Sequence, residues 1–339
     1  LPVSGWPLAY DDLLPWYEEA QDVCVLGPYE YDAREWPQAG RVLVDTERVS
    51  TKIIQINNGV RFGEHYAEEL RRTTNVRVCL WGNAVELVAP TGSNRVERIE
   101  VAALGGVHFS VASRAVVLAT GGIEVPRLLL ASTQDRPQGL GNEHDLVGRY
   151  FTEHLQVPIA VVVIDRSLDD LTMYDEQSLE NPDRPDRPLS VKGVLSLTDA
   201  AVRDEELLGL DAQLYLATRR VSSPEQTSGV DALAAGALLT AAERRATPTV
   251  GLIVAVGEQA PNRESRVRLS PTQRDALGMP QIELDWRYGE LDRRGMLTGL
   301  SIMAAELAKE GLGRLQILPD GLRPDLGAHL TSAIPTLVT

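Results

Sequence analysis

The chain has 339 residues, 43% hydrophobic and 24% charged, an ordinary globular composition that excludes a mostly disordered polypeptide. Its 33 basic and 48 acidic residues leave a net charge of −15, which argues against nucleic acid or an anionic membrane surface as the main partner. No apolar run reaches membrane-span length; the longest, Val157 to Ile164, has the length of a strand and contains a proline.

The chain opens on Leu1 rather than methionine, so it reads as one that does not begin at a translation start. No charged segment followed by an apolar stretch marks a signal peptide, and a cytoplasmic location is expected. Seven of the seventeen aromatics fall within the first 36 residues. Among them, Tyr10–Val23 reads as a helix. Asp11 or Asp12 can cap it, Pro15 is tolerated in the first turn, and Leu13, Trp16, Tyr17 and Ala20 share a face. The early aromatics either line a substrate pocket or, for Trp16 and Tyr17, pack an amphipathic helix on a core. A second helix is expected over Gly63–Arg72.

Alternation then predicts short strands at Val76–Leu80, Ala84–Val88, Val96–Val101 and Val107–Val111, a meander punctuated by Pro90–Asn94 and Gly105-Gly106. Cys24 and Cys79 cannot form a disulfide framework and lack CxxC spacing; Cys79, alternating with apolar neighbours, reads as a buried thiol. Ala115–Ala119 is apolar on both faces, as in a strand central to a parallel sheet. It meets Thr120-Gly121-Gly122 and a helix over Ile123–Ser132. A buried strand that runs through two glycines into a helix lets a ligand approach backbone amides.

Further strands are expected at Val157–Ile164, Ser190–Leu197, Gln213–Thr218, Val250–Val256, Arg266–Leu269 and Gln281–Asp285. Leu168–Pro188, rich in Asp, Pro and Arg, reads as a long surface loop, with Asp183–Asp186 a solvated acidic run, and Ser222–Gly236 as a mobile one. A long amphipathic helix over Glu290–Glu310 carries Leu291, Leu297, Leu300, Ala304 and Leu307 on one stripe and stops at Gly311.

The junction Ala119-Thr120-Gly121-Gly122-Ile123-Glu124-Val125-Pro126-Arg127 resembles that of GMC (glucose–methanol–choline) flavoprotein oxidoreductases. Four more segments agree in order: Ser4–Leu13, with its Gly-Trp-Pro; Arg61-Phe62-Gly63, leading towards Asn83–Leu87; Gly141–His154, similar to the family's G-N-x-x-D-L-V-G-R-x-F-x-x-H stretch; and Asn262–Leu269, similar to N-x-x-S-R-V-x-L.

The resemblance implies an α+β / α/β chain of the GMC type. Residues 1–156 would be the remnant of an FAD-binding half, 157–318 a substrate domain on an antiparallel sheet with flanking helices, and 319–339 a shortened C-terminal segment. It implies that Val85 lies on the strand facing the flavin adenine and that Ala119, Thr120, Gly121 and Gly122 close over the adenosine side of FAD. His154 would lie near the substrate cleft. His329 would be the catalytic base, taking the alcohol proton as hydride leaves for the flavin. His65, His108 and His144 read as surface or satisfied side chains.

The family seats the FAD pyrophosphate behind a GxGxxG, which these 339 residues do not contain, and its C-terminal catalytic segment is reduced here to Gly327-Ala328-His329 and Ile334-Pro335-Thr336-Leu337. Two functions are therefore expected. The first is an FAD-dependent oxidoreductase acting on CH–OH groups of a small organic substrate, present as an incomplete chain. The second is a flavin-free descendant reusing the substrate cleft for binding or for non-redox chemistry such as cyclisation in secondary metabolism. FAD binding by this chain alone is expected to be weak or absent. The expected partners are a small-molecule substrate and either a second copy or a complementing subunit, with no nucleic acid and no membrane.

Overall fold

The computed structural model describes residues 5–57, 60–181, 188–216 and 249–318. In chain order the elements are α1 (Tyr10–Val23), β1 (Val49–Ile56), α2 (Phe62–His65), α3 (Ala67–Arg72), β2 (Asn83–Val88), β3 (Arg98–Ala102), β4 (His108–Ala112) and α4 (Gly121–Ala131). There follow β5 (Leu155–Ile164), β6 (Gln177–Leu179), β7 (Leu189–Leu197), α5 (Asp199–Asp204), β8 (Leu210–Leu216) and β9 (Thr249–Gly257). Last come β10 (Arg266–Arg274), β11 (Pro280–Asp285), α6 (Glu290–Lys309) and β12 (Gly313–Ile317). Among the described residues the strand pairs are all antiparallel, so the class is α+β and the expected parallel sheet is not seen there.

The chain forms two compact units, the first comprising Leu1–His65, Glu153–Ala260 and Gly289–Thr339. Its sheet runs β1-β7-β8-β9-β5-β12, with β6 also paired to β7. The strands are long because their sequences alternate or are apolar throughout: Leu189–Leu197 is buried at every position, as an interior strand requires. Pro158 has no N–H for the ladder, and the β5–β9 register shifts between Pro158 and Ala160. Helix α6 packs on this sheet. The Asp292 carboxylate caps it, accepting from the Gly289 and Ala260 N–H groups. Its buried side chains include Met296, Leu300, Met303 and Leu307, whereas Leu291, Leu297 and Ala304 are only half-buried. The apolar stripe is thus turned from the leucine-only one towards the methionines.

The structure differs from the sequence-based expectations at four points. Leu168–Tyr174 is a 3₁₀ turn rather than open loop, with Leu171, Met173 and Tyr174 buried; the Thr51 hydroxyl and the Leu43 N–H bond the Tyr174 hydroxyl, which gives the turn a place in the core. Residues 182–187, like Ser222–Gly236 and His329, lie outside the described residues. Helix α1 does not pack an apolar face on the core: Gln21 is its one buried residue, while Trp16 is 67% exposed. Strands β1, β6 and β12 and helix α5 are not announced by the sequence pattern. The expected helix over Gly63–Arg72 breaks at Tyr66, where ψ is 0°, into α2 and α3.

The second unit comprises Tyr66–Thr152 and Pro261–Tyr288. It holds the meander β2-β3-β4, the hairpin β10–β11 and helices α3 and α4. Its core is small: Leu87, Leu128 and Met279, with Val85, Ile99, Val116 and Leu129 packed against them. Val76–Leu80 forms no strand, and Leu80 is 75% exposed with Cys79 also at the surface, because no described strand lies alongside to receive that alternation. Ala115–Ala119 likewise forms no strand. Ser113 donates to the Ala115 carbonyl and accepts from the Ala115 N–H, in a turn after β4, and Val117 stands 89% exposed.

Leu300 is fully enclosed, so Leu300→Ala should cost about 2–5 kcal/mol and Leu297→Ala clearly less. Equilibrium urea unfolding of the two variants checks the order; equal losses would place the stripe where the leucine periodicity alone put it.

Candidate functional site

The glycine junction lies in the second unit, at the start of α4. Thr120 precedes the helix without a side-chain cap, and Gly121 has φ +87°, a left-handed conformation that favours glycine. A Cβ built at Gly121 or Gly122 would meet nothing within 4 Å, so the turn is open on the side a side chain would take. Arg127 pins the helix to the β10–β11 hairpin: its guanidinium donates to Asp275 at 2.6 Å and to the Pro280 carbonyl at 2.9 Å, and lies beside Glu124 at 3.2 Å. Ser132 closes the far end, accepting from the Leu87 N–H of β2 and donating to the Leu128 carbonyl.

Alongside the first turns of α4 lies a cleft of about 400 Å³. Gly122, Val125, Pro126 and Leu129 form one wall, and residues 147–152 the other. The second wall is held by the strand that follows Asn262. The Val267 N–H donates to the Gly148 carbonyl, the Phe151 N–H to the Ser265 carbonyl, and the Ser265 hydroxyl to the Phe151 carbonyl. Gly148 is required there: φ is +83°, and a Cβ would stand 2.3 Å from the Val267 carbonyl oxygen. Three sequence segments far apart in the chain, Ala119–Arg127, Gly141–Phe151 and Asn262–Leu269, therefore meet at one place.

The charges around this cleft are committed. Arg149 pairs with Asp145 and, at 3.3 Å, with Glu264, and Arg266 also reaches Asp145. The Arg149 hydrogen bond holds the Asp145 carboxyl below the usual carboxylate range, against desolvation. At Asp275 desolvation pushes upward, but hydrogen bonds from Arg127 and from the Leu277 and Met279 N–H groups outweigh it and the carboxyl is held low. Asp285 is lowered by its hydrogen bond from Arg287.

The other sequence-predicted residues are dispersed. Val85 sits at an irregularity in the β2–β3 register, half-buried and turned into the small core behind α4. His154 lies in the first unit just before β5, exposed, with Nδ1 3.9 Å from the Glu153 carboxylate. Among the described residues no group of three or more His, Cys, Asp or Glu is arranged to hold a metal ion.

One feature has no signal in the sequence, and another settles an alternative that the sequence leaves open. On β7, Lys192 is buried, with its ammonium 4.0 Å from the Tyr215 ring centroid on β8. Burial pushes its amine down, while Asp175 and Glu176 pull it back up. Ser-Val-Lys-Gly-Val reads as ordinary strand, so no local signal marks it. In the first unit Tyr10, Tyr29 and Tyr31 line a cleft of about 570 Å³, which favours the pocket reading of those early aromatics.

No protein-family model matches the chain. It is 23% identical over 336 residues to the fructose dehydrogenase large subunit of Gluconobacter japonicus, an alignment covering 85% of this chain and 57% of that protein. It is 25% identical over 203 residues to 2-methyl-1,2-propanediol dehydrogenase of Mycolicibacterium austroafricanum, covering 47% of this chain and 36% of that protein. The chain is a distant relative of dehydrogenases and spans only part of the length of each. Among the described residues no helix is long and apolar enough to cross a membrane.

The depressed Asp145, Asp275 and Asp285 carboxyls set the sign of an acid effect. Their stabilisation is fully present above the ordinary carboxylate pKa of about 3.9 and is lost as pH falls through the lower folded values. Thermal melting between neutral and strongly acidic pH should show the second unit weakening below about pH 4, and Asp275→Asn should flatten that fall.

Proposed function

We propose that this chain is part of an FAD-dependent oxidoreductase of the GMC type, acting on CH–OH groups of a small organic molecule. The observation that carries the proposal is the likeness to a dehydrogenase along 85% of this chain. The meeting of three family-like segments at the glycine junction adds to it. When bound, FAD would supply the acceptor for hydride from the carbinol carbon.

The residues at the junction fit one end of that cofactor. Two glycines with open space where a Cβ would stand suit close approach by the adenosine side along Ala119–Gly122, with the strand bearing Val85 behind them. In this reading His329 takes the hydroxyl proton and His154 lies towards the substrate. The pyrophosphate is less well served. Arg127 and Arg149 are both held by carboxylates, and the first turn of α4 carries Glu124. Full flavin affinity in this proposal requires a further polypeptide segment or a complementing subunit; the Gluconobacter relative is itself named a large subunit. The same commitment of charge favours the second reading, a flavin-free descendant, if chemistry proceeds without the cofactor.

Titrating the purified chain with FAD should give no saturable change in the flavin band near about 450 nm at micromolar concentrations. Stoichiometric yellow cofactor on these residues alone would overturn that expectation. Dye-linked oxidation of a panel of diols and polyols, with and without excess FAD, tests the reaction. Flavin-dependent turnover supports the oxidoreductase, whereas conversion of substrate independent of flavin supports the descendant.

A further inference from the structure

The tyrosines beside helix α1 belong to the first unit and play no part in the glycine junction. The helix is anchored at one point near its C-terminal end. There the Gln21 amide donates to the Gly27 and Pro28 carbonyls at 3.1 and 3.2 Å and accepts from the Tyr31 hydroxyl at 3.0 Å. Elsewhere the helix is propped on rings instead of packed on aliphatic side chains. Tyr10 stacks on Tyr17 with centroids 6.1 Å apart, Tyr17 on Tyr29 at 5.8 Å, and Tyr29 meets Tyr31 edge-on at 5.3 Å. Tyr10, the first residue of the helix, also meets Tyr29 directly: their hydroxyls share a hydrogen bond of 2.9 Å. Tyr10 is exposed and Tyr29 half-buried, so the pair is open to small reagents.

That contact suits one particular bond. Oxidative coupling of two phenols joins ring carbons ortho to the hydroxyls, and in the product the two hydroxyls lie side by side. Two rings whose hydroxyls already share a hydrogen bond have them where the product places them. The neighbouring tyrosines are disposed otherwise. Tyr17 lies 10° from parallel with Tyr29, so it offers a ring face where coupling needs an edge, and the Tyr31 hydroxyl is turned to Gln21. The hydrogen bond with Tyr10 pushes the Tyr29 phenol up to about 12, so at neutral pH its proton leaves together with the electron when it is oxidised.

We propose that Tyr10 and Tyr29 are a cross-linking pair, joined through their ortho carbons when a peroxide-driven one-electron oxidant reaches this surface. Each phenol gives up one electron and one proton. The two radicals form one carbon–carbon bond, and the hydrogen on each joined carbon shifts to its own ring's oxygen. Hydrogen peroxide takes the two electrons and two protons and leaves as two waters. The link gives α1 a second anchor at the end opposite Gln21, and like a disulfide it closes a loop of the unfolded chain. It goes beyond the oxidoreductase reading, and either can fail alone.

Treating the full chain, at high dilution, with a haem peroxidase and hydrogen peroxide tests the proposal. Dityrosine fluorescence should appear on the monomer. Cleavage after Glu18 and Glu19 separates the two tyrosines, so mass spectrometry should find one linked pair of peptides carrying Tyr10 and Tyr29. Hydrogen exchange across α1 should slow in the linked chain. Tyr10→Phe and Tyr29→Phe should each abolish the link and Tyr17→Phe should leave it. Each variant loses only a hydroxyl, so all three should keep the parent's circular dichroism. Absence of dityrosine in the parent, links formed only between copies, or a link from Tyr29 to Tyr17 or Tyr31 in place of Tyr10 would overturn the proposal. So would an α1 no better protected after linkage.

Discussion

Eight consecutive residue pairs, Val49 with Leu197 through Ile56 with Ser190, tie the N-terminal arm to the central sheet. Much of what lies before residue 57 is built on that ladder. Thr51 on β1 bonds the buried Tyr174 hydroxyl, the Asp32–Lys52 bridge draws the preceding segment in, and the Ile53 N–H is taken by the Tyr31 carbonyl. The rings that prop α1 thus owe their positions to backbone hydrogen bonds several elements away. A helix with one buried residue would otherwise have little reason to hold its place.

The pattern-rich parts of the fold were readable from sequence. Tyr10–Val23 has the predicted bounds, and the β5, β7 and β9 ladders begin within two residues of where apolar runs announced them. What escaped depends on tertiary context. Val49–Ile56 alternates only in part, with Ser50 and Lys52 among its outward positions, and looks like a strand once β7 stands opposite. The Leu168–Tyr174 turn looks polar because its aspartates are outside; the hydroxyl partners that let Tyr174 be buried come from residues 43 and 51. Ala115–Ala119 shows the reverse failure, since a run apolar on both faces cannot say whether neighbouring strands exist.

The candidate site was legible in the same uneven way. Glycines before a helix marked the turn, and its open approach is there. Its electrostatics were not legible, because whether an arginine is available depends on which carboxylates reach it, and Arg127 finds Asp275 148 residues away. The burial of Lys192 against the Tyr215 ring is likewise a property of assembly, invisible to spacing along the chain.

The exposed apolar side chains beside the start of α4 also bear on how molecules of this protein behave towards each other. Val117 at 89% exposure, followed by Ile123 at 37%, gives neighbouring copies something adhesive to find. At neutral pH a net charge of −15 keeps copies apart beyond contact range. Salt shortens that repulsion and a pH near the isoelectric point of about 4.9 cancels it, while neither masks Val117. Colloidal stability of the chain is therefore a contest between a long-range field and one short unpaired segment, and the ionic strength of the medium decides which governs.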